Sequence, residues 1–225
     1  MSVAESYAAV RRRIAAACAR SSRDVSDVRL VAVTKYAPVE AVRELVALGH
    51  RDLGESRPQQ LLERAALFDG AGVTWHLIGH LQRNKARKVL SVASLIHSAD
   101  NVRLLEALDR LAGELSLRPR VLIEVNVSGE ASKDGFPPDE LRSAWPRVAG
   151  LRRLDVAGLM TMAPYSEDPE ATRPYFRALR RLRDDLAAAG PLPLPELSMG
   201  MSGDFEVAIE EGATIVRVGS SLFEE

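Results

Sequence analysis

At 225 residues, 46% of them hydrophobic, the chain carries enough apolar side chain to fill the core of one large α/β domain, and residues 1–225 are expected to form a single domain. Its 30 basic and 31 acidic residues leave a net charge of −1, which excludes a general field drawing in nucleic acid or an anionic membrane, so any anion must be met locally. A lone cysteine, Cys18, excludes an internal disulfide and a cysteine-rich metal centre and fits a reducing, cytoplasmic setting, and no apolar stretch nears the roughly 20 residues that span a bilayer.

Tyr7, Val10, Ile14 and Cys18 recur at helical spacing, so the first element is an amphipathic helix, and Arg20 interrupts the apolar run that a signal peptide needs. Apolar, β-branched runs then alternate with helical patterns to the end of the chain. They predict strands at Leu30–Thr34, Arg51–Gly54, Trp75–Gly79, Ser94–Ser98, Val121–Val127, Leu154–Met160, Glu196–Met199 and Thr214–Val218. Pro38 suits the first position of a helix over Pro38–Leu48 that Gly49 ends, with Val39, Val42, Leu45 and Val46 on one face. Asn101 caps Val102–Ser116, whose stripe is Leu104, Leu105, Leu108, Leu111 and Leu115. "APYSEDPEATRP" is the longest candidate flap, and "GPLPLPE" reads as a helix-to-strand loop.

Eight strands alternating with helices predict a (β/α)8 TIM-type barrel with an additional N-terminal helix. The alternative is an open doubly wound sheet, but no G-x-G-x-x-G marks a switch point and the eighth strand falls almost at the end of the sequence. In a barrel the residues just after each strand converge, and here they are polar and glycine-rich. "MGMSGD" and "VGSS", after the seventh and eighth strands, stand where barrels commonly bind phosphate, with Gly200, Ser202, Gly203, Gly219 and Ser220 letting backbone donors approach. The plainer reading has Ser202 capping a helix and the glycines turning the chain.

Arg217 shares a strand face with Ile215 and Gly219 and, pointing inward, needs a ligand or carboxylate to satisfy its charge. Lys35 ends the first strand across the barrel mouth. Desolvated and near Arg217, its amine would be driven towards the neutral, nucleophilic form that attacks an aldehyde. A phosphate cradle, a planar arginine and a nucleophilic lysine together describe a site for pyridoxal 5′-phosphate (PLP). His76 and His80 of "WHLIGH" fall at a spacing that places both on one strand face, but without cysteines or a helical H-E-x-x-H no metal site is expected. Arg83, Lys85, Arg87 and Lys88 read as a solvated helix face. Gly200-Met201-Ser202-Gly203 departs from G-x-S-x-G, which leaves a serine hydrolase as a distant alternative.

The segments "LVAVTKYAP", "DLGES", "WHLIGHLQRNKARKV", "IHSADN", "VLIEVNVSGEASKDGF", "GLMTMAP" and "LSMGMSGDFEVAIEEGATIVRVGSSLF" make the chain resemble the pyridoxal phosphate homeostasis protein family from about Leu30 to Phe223. The family's barrel is similar to the PLP-binding barrel of alanine racemase and ornithine decarboxylase. The resemblance implies that Lys35 is the Schiff-base lysine, that Ser202, Gly219 and Ser220 contact phosphate, and that Arg217 meets the pyridine nitrogen. Ser56 replaces the asparagine the family usually carries beside the cofactor, and Arg57 the tyrosine after it. The usual glycine after the final phenylalanine is also replaced, by Glu224-Glu225.

An arginine at the ring nitrogen weakens carbanion chemistry, and the second, β-rich domain of the related enzymes is not expected here. The resemblance therefore implies cofactor homeostasis, with PLP buffered or delivered to apo PLP-dependent enzymes and no catalytic residue assigned. A small PLP-dependent racemase-like enzyme is the alternative. The chain is expected to act as a monomer, without nucleic acid or membrane partners.

Overall fold

The computed structural model describes residues 1–223. Glu224 and Glu225, on which the expectation about the last turn falls, lie outside the described residues. Helix α1 spans Val3–Arg20, opened by a reciprocal capping box in which Ser2 Oγ accepts from the Glu5 amide and Glu5 accepts from the Ser2 amide. Its buried face includes Val10, Ile14, Ala17 and Cys18, on the period the sequence predicts. That face packs on the barrel's outer helices, and the Arg13–Glu206 ion pair at 2.8 Å flanks the contact.

The strands are β1 Arg29–Val33, β2 Asp52–Glu55, β3 Thr74–Leu77, β4 Leu95–Ala99, β5 Arg120–Glu124, β6 Asp155–Met160, β7 Glu196–Ser198 and β8 Ile215–Val218. They form a closed parallel barrel in sequence order, β8 pairing back onto β1 with Arg29 opposite Ile215 and Ala32 opposite Val218. That closure excludes the open doubly wound sheet. The intervening helices are α2 Val39–Ala47, α3 Pro58–Leu67, α4 Ala86–Leu90, α5 Val102–Leu115, α6 Pro138–Ala149, α7 Arg173–Ala189, α8 Phe205–Glu210 and α9 Ser220–Phe223. Among the described residues no helix is long and apolar enough to cross a membrane.

Two local expectations are corrected. Pro38 flanks α2 as its N-cap, with φ −57° and ψ 147°, and is not the first helical residue, because the chain turns from Thr34 through Ala37 before winding. The proposed flap is only half a loop: Pro169–Thr172 winds into a 3-10 turn, and Arg173 ties it to Glu170, Glu210 and Glu211.

Strand alternation sorts the core into two layers. Outward side chains pack under the helices, while Val31, Leu95, Leu122, Ala157, Met160 and Ile215 fill the barrel interior. Below them, the first residues of several strands form a charged floor. Arg29 lies 3.9 Å from Asp52 and 3.7 Å from Glu196, and Arg120 lies 2.9 Å from Asp155 and 3.4 Å from Glu196. The opposite, carboxyl end is the mouth.

Candidate functional site

Lys35 follows β1, and three side chains from the next βα unit fix the backbone that carries it. Thr34 Oγ1 donates to Glu55 Oε1 at 2.5 Å, Gln60 Nε2 donates to the Lys35 carbonyl at 2.7 Å, and Arg64 Nη2 donates to the Ala37 carbonyl at 2.7 Å. Arg64 Nε also pairs with Glu55 at 3.0 Å, both side chains being buried. The lysine side chain itself is exposed, with Nζ 4.9 Å from the centroid of the exposed Tyr36 ring. The condition of desolvation is therefore not met in this structure: the strand end delivers the amine to the rim of the mouth, where solvent reaches it.

The loops after β7 and β8 are joined to each other, and because β8 pairs with β1, with Val31 opposite Arg217, Lys35 stands beside them and not across the mouth as the sequence suggests. Gly200 adopts φ +92°, and a Cβ there would lie 2.5 Å from that of Ala208, so only glycine makes this turn. Asp204 Oδ1 accepts from the Met201 amide at 2.6 Å and closes the loop. Ser202 does not cap α8; Asp204 holds that position. Its Oγ accepts instead from the Gly219 and Ser221 amides at 3.2 and 3.4 Å, linking the two loops. Among the described residues no protein group accepts from the amides of Ser202, Gly203 or Ser220, which line one cavity and leave N–H donors for an anion there. Nor does Ser202 touch a histidine, so the arrangement lacks the base of a serine hydrolase.

Arg217 points into the barrel and is 4% exposed, as strand alternation predicts. Its partners are neutral: Nη1 donates to Ser198 Oγ at 2.7 Å and Nη2 to the Thr161 carbonyl at 2.9 Å. No carboxylate touches it among the described residues. Burial pushes its pKa down to about 10, opposed by the charges of Glu124 and Asp204, so it stays cationic at neutral pH.

Lys35, Ser56, Ser202, Arg217, Gly219 and Ser220 all line one cavity of about 510 Å³. Met162 and Met201 stand on its rim, and Ile78 forms an apolar wall. A larger groove of about 1110 Å³ runs past Arg83, Arg103, Arg110 and Arg147. It is a surface groove where two of these arginines pair with Glu114 and Glu106, and it lacks the convergence of amine, guanidinium and amide donors.

His76 and His80 separate in the fold. His76 is buried inside the barrel, whereas His80 is exposed beyond β3, 3.0 Å from Asp100 and 3.8 Å from Asp134. Sequence reasoning missed Thr161 and Ser198, which hold Arg217, and Glu124. Their common signal is a polar residue on the inward phase of an apolar strand, or just past its end.

Glu124, 4% exposed, has its pKa raised to about 7 by burial first and then by the charges of Asp100 and Asp134, with Arg217 opposing. The folded protein keeps this proton up to about pH 7, while the unfolded chain releases it near 4.5. Folding thus takes up a proton within that window, and stability falls as pH rises through it. Glu124→Gln is expected to remove the slope, gaining about 3 kcal/mol over the parent at pH 8 and almost nothing at pH 4. Urea midpoints at the two pH values measure the difference; an equal gain at both would refute the raised pKa.

The alanine racemase N-terminal domain model matches residues 6–225. The pyridoxal phosphate homeostasis protein of Aquifex aeolicus is 43% identical over 225 residues, covering 100% of this chain and 99% of that one. The chain belongs to the pyridoxal phosphate homeostasis protein family. The human family member is 37% identical, with 96% of this chain and 84% of that protein aligned. Among solved structures, PipY of Synechococcus elongatus with PLP bound superposes with a TM-score of 0.85 at 40% identity, covering 95% of this chain and 99% of PipY. Alanine racemase of Corynebacterium glutamicum, at 19% identity and a TM-score of 0.73, shares the barrel fold over 60% of its length.

Proposed function

We propose that this family member binds PLP in the cavity between Lys35 and the β7 and β8 loops, and acts in PLP homeostasis, buffering the cofactor or passing it to apo PLP-dependent enzymes. The observation that carries the reading is convergence: an accessible amine, a buried guanidinium and a set of unclaimed amide donors line one cavity of about 510 Å³. This donor set fits the group. When bound, PLP supplies an aldehyde that a lysine amine captures as a Schiff base. Lys35 is the amine on the rim. The amides of Ser202, Gly203 and Ser220, with the hydroxyls of Ser202 and Ser220, meet the phosphate, and Ser56 flanks the ring where the family usually carries asparagine. Support for PLP as the ligand also comes from PipY, whose structure was solved with PLP bound.

Arg217 directs the reading towards homeostasis. It donates to the ring nitrogen and, cationic at neutral pH, holds that nitrogen unprotonated, which weakens the ring as an electron sink. We place this role in the reducing cytoplasm, with residues 1–225 acting as a single barrel domain and a monomer, and without nucleic acid, membrane or metal partners.

The test is to incubate the PLP-loaded protein with L- and D-amino acids in deuterated water, and in parallel with an apo PLP-dependent enzyme. Negligible Cα exchange with stoichiometric reactivation of the apoenzyme is the expected result. Reactivation faster than release into buffer marks delivery, and reactivation at the release rate marks buffering. Sustained, Lys35-dependent exchange over many turnovers would make the chain a racemase-like enzyme instead.

A further inference from the structure

Five side chains on five strands form a continuous chain, buried except for half-buried Asp52, that the cofactor reading does not use beyond its last member. Asp52 Oδ1, at the floor of the barrel, lies 3.1 Å from His76 Nε2, and His76 Nδ1 lies 3.0 Å from His97 Nε2. His97 Nδ1 lies 2.9 Å from Ser198 Oγ, which accepts from Arg217 Nη1 at 2.7 Å. His76 is 1% exposed, and His97 and Ser198 are 0% exposed.

The two ends determine where every proton in the chain sits. A guanidinium only donates and an ionised carboxylate only accepts. His76 must therefore present Nε2–H to Asp52, which leaves Nδ1 of the neutral ring as an acceptor. His97 must then donate from Nε2 to His76, so its Nδ1 accepts as well. The Ser198 hydroxyl hydrogen goes to His97, and the remaining lone pairs face Arg217. This arrangement satisfies all four contacts without a charged imidazole.

With His76 charged, both of its nitrogens donate and His97 must flip to Nδ1–H. The buried Ser198 hydroxyl then accepts from two sides, and its own hydrogen has no acceptor in the chain, a costly orphan.

We propose that His76 and His97 are both neutral Nε2–H tautomers and that, through Ser198, they act as positioning residues for Arg217, coupling its guanidinium to the Asp52 carboxylate at the far end of the barrel. The surrounding charges agree. Burial, with the charges of Arg217 and Arg29, holds His97 well below the ordinary histidine range. Burial works against ionisation of Asp52, but the hydrogen bond from His76 and the positive charge of Arg29 oppose it, and its pKa stays below the usual value. The consequence for the cavity is that Arg217 is held by an oriented hydroxyl and a carbonyl, with no carboxylate in contact, so its remaining N–H groups and its charge face the ligand space. That consequence rests on the PLP reading; the tautomers do not.

The test uses the full chain labelled with 15N at its four histidines, without added PLP, at neutral pH. Substituting His76 and His97 one at a time by glutamine assigns the signals. The expected result is an unprotonated Nδ1 and a protonated Nε2 for both His76 and His97 in the parent protein. An Nδ1–H tautomer or a doubly protonated ring at either position would overturn the proposal, even if the variants fail to fold. The second readout is the Arg217 Nε–H resonance. Ser198→Ala and the distant Asp52→Asn should both shift it, and Ser198→Thr, which keeps the hydroxyl, should restore the parental position. A resonance unmoved in Ser198→Ala and Asp52→Asn would show that the chain does not position Arg217. Absence of a visible band on adding PLP counts against the PLP reading alone and leaves both readouts intact.

Discussion

Lys35→Ala is expected to abolish covalent capture of PLP while leaving the barrel folded. The amine is exposed at the rim, and the contacts that place it are made by its own carbonyl and by the backbone and side chains of its neighbours, so truncation removes chemistry and little packing. Exposed substitutions of this kind change stability by roughly 0.5 kcal/mol or less. The parent mixed with PLP should show a visible absorbance band, and borohydride reduction followed by peptide mass analysis should place the adduct on Lys35. In Lys35→Ala the band should vanish and PLP retention through gel filtration should fall at least tenfold. Ser202→Ala with Ser220→Ala should behave differently, keeping the adduct but binding more weakly, by roughly 1.5–3 kcal/mol for each hydrogen bond lost to a charged group. An adduct found reproducibly on Lys85 or Lys133, with Lys35 unmodified, would reject the assignment.

The largest expected loss of stability comes from Arg64→Met. Glu55 is fully buried, and among the described residues its only cationic contact is Arg64, at 3.0 Å, and its Oε2 has no hydrogen-bond partner. Burial raises the Glu55 pKa, outweighing the Thr34 hydrogen bond and the charges of Arg64 and Lys35. Removing Arg64 strands the carboxylate, and breaking a buried pair in this way costs about 3–5 kcal/mol.

The penalty requires an ionised Glu55, so it should be largest at and above neutral pH and shrink as pH falls through the raised pKa and the carboxyl takes up its proton. Adding Glu55→Gln to Arg64→Met should recover much of the loss. Denaturant unfolding of the single and double variants at pH 5 and pH 8 measures both effects, and a loss independent of pH would show that the stranded charge is not its cause. Because Arg64 also holds the Ala37 carbonyl, weaker PLP retention should accompany the instability.

Much of the architecture can be read in the order of residues along the chain. Hydrophobic period is a local property, so all eight strands are recognisable, and all but β3 and β5 fall within a residue of their predicted bounds. Gly49 closes α2 with φ +93° and Asn101 caps α5 through the Leu104 amide, both from chemistry within a few residues. Strand ends are less legible where a run of apolar residues outlasts its pairing: β5 stops at Glu124 although Val125 and Val127 continue the pattern, because from Glu124 to Asn126 one edge of the chain pairs with Phe136, and only the Val125 amide still reaches Met160 of β6.

The site divides along the same line. Lys35, the glycines and serines of the last two loops, and the inward phase of Arg217 follow from strand ends and alternation. Which groups meet inside the barrel does not, since contacts such as His97 with Ser198, 101 residues apart, depend on closure and on the register of every intervening strand. Burial was equally out of reach. Strand phase turns Arg217 inward as found, but it leaves open whether Lys35 is desolvated, because the depth of a side chain below the mouth is set by neighbouring loops. The sequence by itself determined the barrel, its extra helix and the identity of the groups at its mouth. Tertiary structure alone decided which polar groups are buried, which partners satisfy them and which remain free for a ligand, because desolvation and hydrogen-bond pairing are properties of the space the closed chain encloses.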